Sequence, residues 1–162
     1  MSIAKRLKEY LEQNRVPYTH CSHRLAYTAQ EVAAAQHVPG REVAKTIILK
    51  VDEGFAMVVL PATMKIDMKR IREELPYKHV ELATEKEFAS LFPDCELGAM
   101  APFGNLYALP VYVDKSLSQD EQIVFNAGTH VDTVRVSYKD FSNLVKPRVI
   151  DAAIRLEMTA RL

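Results

Sequence analysis

A chain of 162 residues with 48% hydrophobic content carries enough apolar material for one domain with its own core, held without disulfides or a structural metal. Its 21 Lys and Arg balance its 21 Asp and Glu, which excludes a global basic field for nucleic acid and confines any RNA contact to a local patch. Cys21 and Cys95 make no C-x-x-C pair, and no stretch approaches the ~18 apolar residues of a membrane span. A reduced, cytoplasmic protein without export signal or membrane anchor is expected.

In chain order, Ser2 is placed to cap a first helix in which Ile3, Leu7, Tyr10 and Leu11 recur at helical spacing, ending before Pro17. "TAQEVAAAQHVPG" offers Thr28 and Glu31 as a capping box, with Pro39-Gly40 as the stop of a second helix. "EVAKTIILKVDEGFAMVVLPA" reads as two strands joined at Asp52 to Gly54, a central hairpin. Asp67 caps "MKRIREEL", whose Met68, Ile71 and Leu75 share a face. Thr84 and Glu87 form a second capping box ahead of Phe88, Leu91 and Phe92, and these two helices stop at Pro76 and Pro93. "LPVYVD" and "EQIVFNAGTHVDTVRV" supply three more strands, the last two joined around Asn126 to Thr129, and "SYKDFSNLV" a short closing helix. Without strict βαβ alternation, the fold class is mixed α+β: a mostly antiparallel sheet with flanking helices. "RVIDAAIRLEMTARL" reads as a terminal helix or a loose tail.

Three features bear chemistry. In "VAKTIILKV", alternation puts Lys45 on the face of Val43, Ile47, Leu49 and Val51. Either a bulge or snorkelling accommodates it, or the ammonium is presented in a cleft to an anionic or carbonyl ligand. In "ELGAMAPFGNLYALPVYVD", Gly98 and Pro102 bound a bend that is either an ordinary turn with Phe103 as a core plug, or a device that aims free N–H groups at a carbonyl oxygen. His130 follows "FNAGT" at a strand entrance, either as a structural histidine or at a cleft rim. Lys65, Lys69, Arg70, Arg72 and Lys78 make either a phosphate track or a solvated face. The "HCSH" segment lacks the second pair that a zinc site wants, so no metal is expected. G-x-S-x-G, Walker A and G-x-G-x-x-G motifs are absent.

In order and spacing, "VAKTIILK", "GAMAPFG" and "FNAGTHVDTVRVSYKDFSNLV" resemble the YbaK/prolyl-tRNA synthetase-associated domain family of aminoacyl-tRNA deacylases over residues 1–146, leaving 147–162 as an extension. The resemblance implies a curved mixed sheet with surrounding helices. It also implies a free-standing cytoplasmic enzyme that hydrolyses the ester of mischarged tRNA, with no cofactor, no metal and a synthetase as an optional second partner. The family lysine falls on Lys45, the G-x-x-x-P loop on Gly98 to Pro102, and a histidine found in some subfamilies on His130. Residues Ala99, Met100, Ala101, Pro102, Phe103, Gly128 and Thr129 are then candidates for substrate contact, and Lys65, Lys69 and Arg70 for tRNA contact.

An aminoacyl ester is already activated, so a positioned water or ribose hydroxyl and a stabilised oxyanion suffice, which fits a chain with no catalytic serine motif. On this reading the loop amides hold the carbonyl, Lys45 contacts the terminal phosphate or ribose, and His130 orients the amino acid or the attacking group. Met100 and Ala101 set a small pocket, for alanine or else cysteine or serine. The competing expectations are a non-catalytic module that holds an RNA end or nucleotide in the same cleft, and an interaction protein using "IDAAIRLEM". Oligomeric state is left open.

Overall fold

The computed structural model describes residues 4–155. Ser2 lies outside them; the first helix, α1 (Lys5–Gln13), has Ala4 at its N-cap with no side-chain cap. Its Leu7 and Leu11 are buried. The second helix, α2 (Ala29–Gln36), has the expected Thr28–Glu31 capping box, but it ends at His37 in left-handed conformation, ahead of Pro39-Gly40. The hairpin is β2 (Ala44–Val51) and β3 (Gly54–Pro61), paired one to one throughout, so no bulge shifts Lys45. Asp67 caps α3 (Met68–Glu74) through the N–H groups of Lys69 and Arg70, and the Thr84–Glu87 box caps α4 (Glu85–Phe88).

Three short strands carry no sequence signal: β1 (Thr19–Ser22), β4 (Met64–Ile66) and β5 (Val80–Leu82). All four residues of β1 are exposed, so no apolar alternation marks it. The remaining expected elements are β6 (Val111–Asp114), β7 (Gln122–Asn126), β8 (Asp132–Ser137) and α5 (Tyr138–Val145). Beyond them the helix-or-tail reading is corrected for the described residues. Arg148–Ile150 is a strand, β9, and Ala153–Arg155 another, β10. Tertiary bonds impose this: the buried Asp114 carboxylate accepts from the N–H groups of Ala152 and Ala153, and Glu74 accepts from the N–H of Asp151.

A five-stranded sheet runs β5-β2-β3-β6-β9, with β3/β6 and β6/β9 parallel and the other pairs antiparallel. A second sheet runs β1-β8-β7, and β4 pairs with β10. Alternation divides the larger sheet's side chains between two cores. Ala44, Ile48, Met57, Val59, Val111 and Val113 meet α1, α5, the smaller sheet and Phe103. Leu49, Val51, Ala56, Val58, Leu60 and Tyr112 meet Ile71 and Leu75 from α3 and its end. The α2 residues Val32 and Ala33 pack on Val43, Ala62 and Val124, where a parallel bridge from Val43 to Val124 joins the two sheets. None of the described helices is long and apolar enough to cross a membrane.

Candidate functional site

The bridge at Val43 is also where a site opens. Along its outer edge β2 meets β7 at Val43 and β5 from Leu49 to Val51, and Ile48 O accepts from Ala83 N. Backbone groups alternate between edges, so those of Thr46 point to this side and have no strand opposite among the described residues. A hollow of about 250 Å³ crosses the gap, from Tyr27, Thr28 and Ala29 at the start of α2, past Lys45 and Thr46, to Gly98, Met100 and Asn126.

Lys45 is the hollow's one charged lining residue among those described. It is half-buried and forms no ion pair or hydrogen bond with a described residue. Burial lowers its pKa below the ordinary lysine range. A desolvated ammonium with no acid beside it interacts strongly with any anion that enters.

Across from it the Gly98 bend is held open by a second segment. Gly98 has φ +84°, a conformation that strains any other residue. Glu96 N donates to Gly128 O (2.8 Å), and Gly128 N donates to Ala99 O (2.9 Å). His130 N donates to Glu96 Oε1 (2.6 Å), and its ring Nε2 bonds Leu97 O (2.9 Å). Gly128, at φ +102°, lies so close to Ala4 that a Cβ there would come within 2.8 Å of the alanine's Cβ. Two distant loops are thus tied into one wall.

The wall refines the expected donor set. Ala99 N is committed to Glu96 O (3.0 Å), so it is not free for a ligand, and Gly98 N meets only the weak acceptor Met100 Sδ (3.3 Å). The N–H groups of Met100 and Ala101 bond no described residue. Of the residues expected to touch substrate, Gly98 and Met100 line the hollow, whereas Ala99, Ala101, Pro102 and Phe103 are buried behind it. Phe103 is indeed a core plug, with Phe125 and Phe141 rings at 5.5 and 5.7 Å. Thr129 is buried and bonds Asp132.

His130 also stands behind the lining. Its ring contacts Tyr27, with centroids 4.8 Å apart, while Nδ1 is buried without a partner among the described residues. The structure does not bring Lys65, Lys69 and Arg70 to the hollow: none of them lines it, and Arg70 is engaged by Asp67 and Asp151. A larger hollow of about 390 Å³ at the far end of β2 is lined by Lys50, Arg72, Lys78 and His79 among others. Two of its charges are engaged internally, Lys50 by Glu87 and Asp52 by the N–H groups of Lys78 and His79.

Sequence reasoning missed Tyr27, Thr46 and Asn126. Asn126 lines the hollow, and its Oδ1 is buried with no described partner. A buried amide oxygen without a donor is costly, which marks it as a place where a ligand donor fits. Its position in "FNAGT", one of the segments that carried the resemblance, was the available signal.

Comparisons with known proteins give the chain a family and a fold. Over 144 residues the chain is 25% identical to a proline–tRNA ligase of Macrococcus caseolyticus, covering 83% of this chain and 25% of that protein. It is 30% identical over 100 residues to one from Staphylococcus epidermidis, covering 62% of this chain and 17% of the other. The chain therefore spans about a quarter or less of the length of these relatives. In fold it is similar to a crystal structure of a proposed trans-editing enzyme for prolyl-tRNA synthetase, with TM-score 0.80 at 20% identity over 93% of this chain and 96% of that one. The model of the aminoacyl-tRNA editing domain matches residues 23–144, a span that holds Tyr27, Lys45, the Gly98 bend, Asn126 and His130, and the chain belongs to that family.

Proposed function

We propose that this protein is an aminoacyl-tRNA deacylase that acts in trans in the cytoplasm, clearing a small amino acid, alanine foremost, from tRNA(Pro). The observation that carries the reading is one hollow lined by both an unpaired, half-buried Lys45 and the Gly98 bend with its unbonded amides. The similarity in fold to a proposed trans-editing enzyme supports action in trans. The proline–tRNA ligase relatives support tRNA(Pro), with a synthetase as the source of the mischarged substrate.

The ester carbonyl oxygen would accept from the N–H groups of Met100 and Ala101, which bond no described residue; donors fixed in a folded bend need no reorganisation as charge develops. Water adds to the carbonyl carbon and gives up a proton. The carbon–oxygen bond to ribose then breaks, and the ribose oxygen takes a proton, leaving free amino acid and tRNA. Lys45 holds the terminal phosphate or ribose, and His130 is a positioning residue that clamps Leu97. Asn126 Oδ1 and the Thr46 carbonyl receive the α-ammonium.

A hollow of about 250 Å³ is below the roughly 300–1,000 Å³ of drug-sized sites, which favours a small side chain over a larger one. The test is a panel of Ala-, Cys-, Ser- and Pro-charged tRNA(Pro) with Ser- and Gly-charged tRNA(Ala). Ala-tRNA(Pro) should be hydrolysed fastest and Pro-tRNA(Pro) spared. Met100→Ala, by enlarging the hollow, should raise activity on the larger residues about tenfold relative to alanine. Stoichiometric binding without release of any amino acid would instead identify a non-catalytic module.

A second expectation concerns Asn126. Asn126→Ala should lower kcat/KM about tenfold, the usual cost of one charge-assisted hydrogen bond. The same variant should leave hydrolysis of N-acetyl-aminoacyl-tRNA unchanged, because that substrate has no ammonium to lose. Equal losses on both substrates would remove Asn126 from ammonium recognition.

A further inference from the structure

We infer that Tyr27 is the stacking platform for the terminal purine base of the RNA acceptor end. The inference rests on the deacylase reading for the identity of the ligand, but its evidence is separate. Tyr27 is 64% exposed, unusual for a large aromatic ring, and it lines the mouth of the hollow. One part of the ring contacts His130 at 4.8 Å, and its hydroxyl bonds no described residue, so the exposed surface is not explained by any internal contact.

Single exposed apolar residues are ordinary, but this one is grouped and braced. Leu97, 40% exposed, presents its carbonyl to the same histidine, and Leu25, 58% exposed, neighbours Ala26, whose N–H donates to His130 O. The backbone of Tyr27 is pinned as its N–H donates to Glu31 Oε1 (3.0 Å), directly before the capping box of α2. His23 N donates to Val131 O (2.8 Å), which ties the same loop to the residue just ahead of β8. A rigid, open aromatic face costs little further entropy when it is covered.

The position suits a base more than an amino-acid side chain. Ester and base are carried by the same terminal ribose, so an ester seated beside Lys45 and Met100 leaves the base at the mouth, where Tyr27 stands. Every base offers a π face, and stacking on an aromatic side chain is how unpaired nucleotides are commonly held. Among the described residues the lining carries a single charge, that of Lys45, which leaves the phosphate to the lysine and the base to the ring.

The test uses an uncharged acceptor-stem microhelix with 2-aminopurine as its 3′-terminal base, whose fluorescence falls on stacking, together with deacylation kinetics. For wild type and Tyr27→Phe, binding should quench the fluorescence. For Tyr27→Ala and Tyr27→Leu, quenching should be lost and affinity should fall about tenfold. In turnover these two variants should raise KM by a similar factor with kcat unchanged, and thermal melting should match wild type, since the side chain is largely in solvent. Retained quenching and unchanged KM in both variants would overturn the inference. So would quenching lost equally in Tyr27→Phe, which would indicate a contact through the hydroxyl and not the ring. Because the microhelix carries no ester, the quenching result stands even if wild type releases no amino acid; that failure counts against the deacylase reading alone.

Discussion

Lys45→Met is expected to lower deacylation kcat/KM about a hundredfold while raising Tm by about 2 °C. The loss follows from removing the one charge that lines the hollow among the described residues, and with it the proposed contact to phosphate or ribose. The gain follows from the same fact seen from the folding side. Lys45 is desolvated without a compensating acid, so the folded protein bears a penalty that the unfolded chain does not. An unbranched apolar side chain of similar length fills the space at no such cost, a local instance of stability given up for function.

The pH dependence has a defined sign. Burial lowers the folded pKa of Lys45 below the ordinary lysine value of about 10.4. Between those two values the unfolded chain holds more protons than the native one, so wild-type stability rises with pH through that window. The advantage of Lys45→Met should therefore be full below the folded pKa and vanish as pH climbs past the unfolded one. In the proposed mechanism Lys45 acts in its charged form, so deacylation should fall on the alkaline side before an ordinary lysine would lose its proton. Melting curves and deacylation rates across the alkaline range read both effects. An unchanged rate for Lys45→Met would take the lysine out of the mechanism.

The second large effect belongs to a residue that touches nothing in the hollow. Asp132 is fully buried, and its carboxylate is bonded to Thr129 Oγ1 (2.6 Å), His20 Nε2 (2.7 Å) and Ser22 Oγ (3.1 Å). Thr129 Oγ1 in turn accepts from the N–H groups of Val131 and Asp132. This knot sets the turn that carries Gly128 and His130, and those two residues hold the Gly98 wall. Asp132→Ala leaves two hydroxyls and an imidazole without their acceptor, a cost of about 3 kcal/mol, or a Tm lower by about 6–12 °C.

At temperatures well below its melting point this variant should still deacylate at least about tenfold more slowly, because the bend that carries the proposed oxyanion donors is no longer held by Gly128 and His130. Thr129→Ser keeps the hydroxyl and should stay close to wild type, whereas Thr129→Val should follow Asp132→Ala; normal activity in Thr129→Val would limit the knot to folding. For the Asp132 carboxyl, burial acts to raise the pKa, but the hydrogen bonds from Thr129, His20 and Ser22 prevail and hold it below the usual value. Its stabilisation is thus present above the unfolded carboxylate value of about 3.9 and is lost as pH falls through the folded one. The stability gap between wild type and Asp132→Asn should begin to close near pH 4.

Legibility in the sequence followed the range of the interaction. The two capping boxes, the Asp67 cap and the β2–β3 hairpin are specified within a few residues, so Thr28–Glu31, Thr84–Glu87 and Asp52 to Gly54 could be read directly. His37 was not readable as a helix end, since its left-handed conformation places no demand on residue type that the pattern reveals. Nor were β1 and β5, mostly exposed strands that exist because β8 and β2 present edges to them. The C-terminal strands escaped for a related reason: their apolar spacing suits a helix, and only the Asp114 carboxylate and the parallel edge of β6 select extension.

For the site, the residue types announced themselves and their company did not. A lysine on an apolar strand face, a glycine-bounded bend and an Asn-Ala-Gly turn are local oddities that a reader of the chain alone can name. That the first two line one hollow was decided by where β2 parts from β7 after Val43, because only an unpaired strand edge leaves room for a ligand there. Tertiary packing likewise left Lys69 and Arg70 exposed on α3, outside the hollow, and set Tyr27 in its lining. Short-range order and chemical inventory are written in neighbouring residues, while the meeting of distant backbones depends on how whole sheets pack.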